Sequence, residues 1–159
     1  MKKLRLFGTV CAMKLLKGLG IAALYAFSLT AHGYTEVGDA GQVIEDNPPP
    51  QTLPGGTTNI YGSFYASFDI DMYRFGWAGS SGFTATVLST DEDTELYLFG
   101  SDLKGLWANN DLADGTSYTS EIVLSENQLP AGTYYLAIAL WDTDPVDIDY
   151  YSLCPHIRS

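Results

Sequence analysis

Asp69-Ile70-Asp71-Met72-Tyr73-Arg74-Phe75 decides the fold of this chain. Two acids open the stretch, and apolar and aromatic residues alternate with polar ones behind them. The period of two marks a strand entered through a carboxylate-bearing turn. Asp71, Tyr73 and Phe75 share one parity and Ile70, Met72 and Arg74 the other, which puts Asp71 at the rim of the core face, where it is expected to cap the preceding turn. The arrangement recurs at Asp91-Glu92-Asp93-Thr94-Glu95-Leu96-Tyr97-Leu98-Phe99.

Further runs of the same kind lie on either side. Strand-like segments are read at 58–65, 70–77, 83–89, 95–99, 105–109, 119–125, 133–141 and 148–153. Turn residues such as Gly79-Ser80-Ser81-Gly82 and Pro130-Ala131-Gly132 separate them. No stretch of helical period interrupts them. Short, regularly spaced, alternating strands predict an all-β domain, an antiparallel β-sandwich of about eight strands over residues 58–153, with 154–159 as a tail. About a hundred residues suffice to bury one core between two sheets.

The leader, residues 34–57, carries Glu36, Asp39, Glu45 and Asp46 and then Pro48-Pro49-Pro50. Three consecutive prolines exclude a helix or a central strand, so this part is expected to be extended. Ahead of it, Lys2, Lys3, Arg5, Lys14 and Lys17 flank an uncharged, mostly apolar run from Gly18 to Ala31. The run is short for a membrane span and fits a Sec-type signal peptide over residues 1–33, cleaved before Tyr34 at Ala31-His32-Gly33. Met13-Lys14-Leu15-Leu16-Lys17 would itself begin such a peptide, so Met13 is read as the true start and residues 1–12 as a start-site extension, and an uncleaved N-terminal anchor is the rival reading. From Tyr34 onward, 19 acids face three bases (Arg74, Lys104 and Arg158), a formal charge of −16. That field repels nucleic acid and anionic membranes and attracts cations.

Catalytic chemistry has little to work with. His32 and His156 are the two histidines, and Cys11 and Cys154 the two cysteines. Neither a nucleophile–imidazole pair on a framework nor a zinc set can be assembled from them. With Cys11 in the targeting segment, Cys154 has no partner for an internal disulfide. A glycosidase carboxylate pair has no residues that single it out among 19 acids. Calcium is the positive candidate, because it takes six to eight oxygens from carboxylates, carbonyls and water in loops. Asp91, Asp93 and Glu95 alternate before a strand, and Asp111 follows Asn109 and Asn110. These four are the expected metal residues, against the plain alternative that Asp and Asn cap turns. Of the 21 aromatic residues most fall at inward strand positions. Trp77, Trp107 and Trp141 lie near strand ends, where exposed rings would offer a platform for sugar faces.

Five pieces in order carry a family resemblance: Gly62-Ser63-Phe64, Asp69-x-Asp71-x-Tyr73-x-Phe75, Asp93-Thr94-Glu95-Leu96-Tyr97-Leu98-Phe99, Trp107-Ala108-Asn109-Asn110-Asp111 and Leu129-Pro130-Ala131-Gly132-Thr133-Tyr134-Tyr135-Leu136-Ala137-Ile138. Over about residues 58–145 the chain resembles the bacterial pre-peptidase C-terminal (PPC) domain, in the form found in exported PEP-CTERM-associated proteins. The resemblance implies a jelly-roll-like sandwich, secreted, without an activity of its own. Such domains accompany extracellular enzymes or stand in surface proteins, and collagen-binding relatives hold calcium near the N-terminal linker. Glu36, Asp39, Glu45 and Asp46 lie in the corresponding leader, with no motif to fix them. A C-terminal sorting tail is not seen, and Tyr150-Tyr151-Ser152-Leu153 stands where relatives have a closing strand. The expectation is a secreted, non-catalytic accessory or binding module, with Ca2+ as its candidate cofactor because that is the one its acids suit. Its partner would be an extracellular polymer or protein, and the alternative is a carbohydrate- or matrix-binding module.

Overall fold

The computed structural model describes residues 2–8, 32–42, 48–79, 81–88, 92–111 and 118–145. They form an all-β sandwich of two five-stranded sheets. In chain order the strands are β1 (Lys2–Gly8), β2 (His32–Thr35), β3 (Gln51–Thr52), β4 (Thr57–Gly62), β5 (Ile70–Trp77), β6 (Phe83–Val87), β7 (Thr94–Phe99), β8 (Gly105–Asn109), β9 (Glu121–Leu124) and β10 (Gly132–Leu140). One sheet runs β2-β4-β1-β6-β9 and the other β3-β5-β10-β7-β8. From β4 to β10 the chain passes repeatedly from one sheet to the other, and these crossings tie the layers together. No helix among the described residues is long and apolar enough to cross a membrane.

Strands β5 and β8 coincide with the expected segments, and the other boundaries differ by a few residues. The expected strand at 148–153 lies outside the described residues. Both sheets are mixed: the leader strands β2 and β3 run parallel to β4 and β5 at the sheet edges, and the remaining pairings are antiparallel. Strand β3, directly after the three prolines, and β2, which begins at His32 and runs into the leader, each cover one sheet edge of the sandwich.

Strand β1 lies in the basic flank of the segment read as a signal peptide. It pairs antiparallel with β4 on one side and β6 on the other. Lys-Lys-Leu-Arg-Leu alternates with period two, so Lys2, Leu4 and Leu6 are buried while Arg5 is exposed.

The main core lies between the sheets. Leu4, Leu6 and Ile60 meet Phe83, Ala85, Val87, Ile122 and Leu124 from one sheet and Tyr73, Phe75, Leu96, Leu98, Tyr134, Leu136 and Ile138 from the other. Phe75 stacks on Phe83 at 5.6 Å between ring centroids, and Trp77 meets Phe83 edge-on at 5.3 Å. The outer face of the second sheet is apolar and buried as well, through Ile70, Met72, Tyr97, Phe99, Tyr135, Ala137 and Ala139. Strand β10 therefore reads as a near-continuous apolar run rather than an alternation. At the turn after β5, Gly79 has φ 73°, and a Cβ there would meet the Ala131 backbone nitrogen at 2.4 Å, so no other residue fits.

Leu136 sits at the centre, opposite Tyr73 on one neighbour and Leu98 on the other, with 0 % exposure. Leu136→Ala is expected to lower the unfolding free energy by about 2–5 kcal/mol in urea denaturation. Val123→Thr, on the exposed face of β9, should change it by no more than about 0.5 kcal/mol.

Candidate metal centre

Glu36, Asp39 and Asp71 each place a carboxylate oxygen within 4.8 Å of the other two, the one such group of three metal-ligating side chains among the described residues. Two leader residues and one residue of β5 are brought together by the bend that follows β2. The Glu36 backbone N–H donates to the Tyr61 carbonyl at 2.8 Å and so continues the β2–β4 pairing by one residue. Its carboxylate is then held by backbone donors: Oε1 accepts from Ala40 N–H and Oε2 from Ser63 N–H, each at 3.1 Å. The Ala40 N–H also lies 3.4 Å from Asp71 Oδ1, and the Ala40 carbonyl accepts from Met72 N–H at 3.2 Å. Residues 36–40 are thus stitched to the start of β5.

Gln51 clamps the same loop from β3. Its amide donates to the carbonyls of Val37 (2.9 Å) and Asp39 (3.0 Å), and its Oε1 accepts from Val37 N–H (3.1 Å) and the Tyr34 hydroxyl (2.6 Å). Gly62 gives the pocket its floor, since a Cβ there would lie 2.1 Å from Glu36 Oε2 and 2.8 Å from Lys2 Cε.

The pocket holds a cation of the chain itself. The Lys2 ammonium pairs with Asp71 Oδ2, lies 4.0 Å from Glu36 Oε2 and stands 4.3 Å from the centroid of the Phe64 ring. The side chains of Lys2 and Glu36 are 3 % exposed and that of Asp71 is 0 % exposed. Burial draws the Lys2 pKa down to about 8, against the opposing pull of Glu36, Asp69 and Asp39. Burial raises the Glu36 carboxyl above the usual carboxylate range, opposed by Lys2 and by the N–H donors of Ser63 and Ala40. Tyr73, wholly buried beside Glu36, has its phenol pushed well above the ordinary range by burial and by that carboxylate. Asp71 does not cap the turn before it. Asp69 does, accepting from Tyr65 N–H at 2.5 Å, and this leaves Asp71 to point inward.

The acids singled out in the sequence stand elsewhere. Asp91 is outside the described residues. Asp93 and Asp111 are close enough that the charge of Asp111, after burial, raises the Asp93 carboxyl. Asp93 also fixes its strand through its carbonyl, which accepts from Trp141 N–H at 3.0 Å. Glu95 turns along the outer face of β7 and accepts from the Tyr97 hydroxyl, which also reaches Asp144 Oδ1 at 2.9 Å. Of the three tryptophans, Trp77 and Trp107 pack against the main core and Trp141 is exposed. Glu36 and Asp39 were visible only as leader acids, and Lys2 as a targeting residue. The signal that could have joined them is the inward parity of Asp71, which demands a buried partner.

No family model, curated protein or solved structure matches the chain.

Gln51→Ala removes four hydrogen bonds from the loop that carries Glu36 and Asp39. It is expected to destabilise the protein by about 1–3 kcal/mol in urea denaturation, since a net hydrogen bond is worth about 1 kcal/mol and not all four partners lose access to water.

Proposed function

We propose that this protein is a non-catalytic accessory or binding module that works outside the cell and is stabilised by calcium at Glu36, Asp39 and Asp71. The observation that carries this reading is the convergence of three carboxylates, two from the leader and one from β5, in one largely buried pocket. Calcium is the divalent ion that all-oxygen carboxylate sites of irregular geometry suit, with backbone carbonyls and water completing six to eight ligands. A formal charge of −16 from Tyr34 onward favours cation entry. The likeness to PPC domains in the order of five short motifs supports the accessory role. The shortage of imidazole and thiol groups leaves nucleophilic and zinc-dependent hydrolysis without residues. A sugar-binding platform has weaker support, because two of the three indoles are packed against the core.

Thermal melting of the full chain with increasing calcium tests the reading. Saturable binding should stabilise by about 2.7 kcal/mol once free calcium is 100-fold above its dissociation constant. Asp71→Asn should abolish that gain, and a melting temperature that ignores millimolar calcium would sink the proposal.

Export rests on the basic flank and the apolar run from Gly18 to Ala31. Cleavage before Tyr34 would take β1 out of its place between β4 and β6, whereas an uncleaved N-terminus keeps it there. Intact mass of the protein recovered from an exporting bacterial host distinguishes the two: a chain that retains Lys2 excludes cleavage, and a chain beginning at Tyr34 shows it.

A further inference from the structure

The seat of β1 is a slot of defined shape. Strand β1 runs antiparallel to both β4 and β6, so those two run parallel to each other. Without β1 they would stand about 10 Å apart, two strand spacings, each turning unpaired N–H and C=O groups into the gap. A strand in the slot meets Gly62 to Asn59 on β4 and Val87 to Phe83 on β6.

Side chains decide what fits. The inward positions hold Lys2, Leu4 and Leu6, while Arg5 is exposed. A slip of one residue would turn Lys3 and Arg5 toward the apolar core. The Lys2 ammonium pairs with Asp71 Oδ2, an oxygen that accepts no hydrogen bond, on a side chain with 0 % exposure. Withdrawing the ammonium leaves a buried carboxylate unpaired, which is costly. A Cβ on Gly62 would lie 2.8 Å from Lys2 Cε, so glycine at that position makes room for the lysine stem. The slot therefore selects a lysine followed by apolar residues two and four positions on.

Along the chain, β1 is joined to the other strands only through residues 9–31, ahead of β2. Cleavage before Tyr34 severs that tie and leaves β1 held by pairing and packing alone. We propose that the seat of β1 is a donor-strand site: once β1 departs, it takes an extended segment of another protein, antiparallel to β4 and β6, with the pattern lysine-x-apolar-x-apolar. The inference rests on the export reading above and adds the chemistry of the partner. Backbone pairing along two edges supplies affinity, and the alternate side chains supply specificity. The formal charge of −16 from Tyr34 onward draws a basic segment of this kind.

The test uses the full chain with a specific protease site inserted within residues 9–31, cut after purification so that both parts are present. The cut protein is unfolded in urea and refolded with a large excess of a labelled synthetic peptide of residues 1–8. Capture of one peptide per protein, with the melting temperature of the cut protein before unfolding, is the expected result. Peptides carrying Lys2→Glu or Leu4→Asp should bind about tenfold or more weakly, because each places an unpaired charge inside the sandwich. Equal capture of all three peptides would overturn the inference, as would a large part that regains its melting temperature without any peptide. A large part that neither refolds nor captures the peptide shows a slot that cannot be filled from outside, and refutes it too. Refolding as a dimer without peptide would put a second copy in the slot and overturn the assignment to another protein. Intact mass of the exported chain is read separately: if Lys2 is retained, export does not open the slot and that premise fails, whatever the peptides do.

Discussion

Strand β1 is the piece on which the sandwich depends. A strand in the middle of a sheet satisfies the backbone groups of both neighbours, and β4 and β6 each receive their ladder from it. Its inward residues follow from one parity. Leu4 and Leu6 fill the space between the sheets, and the same alternation commits Lys2 to the interior. An ammonium there must meet carboxylates, and the positions of Asp71, Glu36 and Asp39 answer that demand. The charged pocket is the electrostatic complement of where a strand had to go.

A buried ion cluster is weak evidence for stability, because desolvation offsets much of the Coulomb attraction. Its value here is better sought in selectivity. The apolar layers, from Phe75 on Phe83 to Leu136 between Tyr73 and Leu98, hold the sheets together. The polar end favours the strand register that brings Lys2 to these carboxylates.

Much of the fold was legible in the chain. Alternation gave β5 and β8 to the residue, because each has turn residues on both sides. Strand β10 lay within a residue of its expected span, although its two buried faces blur the period. Strand β1 was not read, since lysines before an apolar run look like an export signal whether or not they also alternate. Strands β2 and β3 were hidden for a different reason: two to four residues carry no periodic signal, and their pairing is decided by the edges they cover. The carboxylate pocket was out of reach because Asp71 lies more than thirty residues from Glu36 and Asp39 and meets them only through a non-repetitive loop held by Gln51. By contrast Asp93 and Glu95, which stand close in sequence, are spread by strand geometry: Glu95 bonds Tyr97 on the outer face while Asp93 stays at the strand's entrance.

The pairing of β1 also bears on how the molecule forms. Leu4 lies opposite Ile60 and Val87, so β1 finds its place only after β4 and β6 have been made. Contacts that distant in sequence slow folding, since the entropy of closing the loop is lost before the pairing energy returns. Until then β4 and β6 present unpaired edges toward one another. A chain emerging from the ribosome leaves β1 without its second neighbour until β6 has been made, and a chaperone that grips extended segments has its opportunity in that interval.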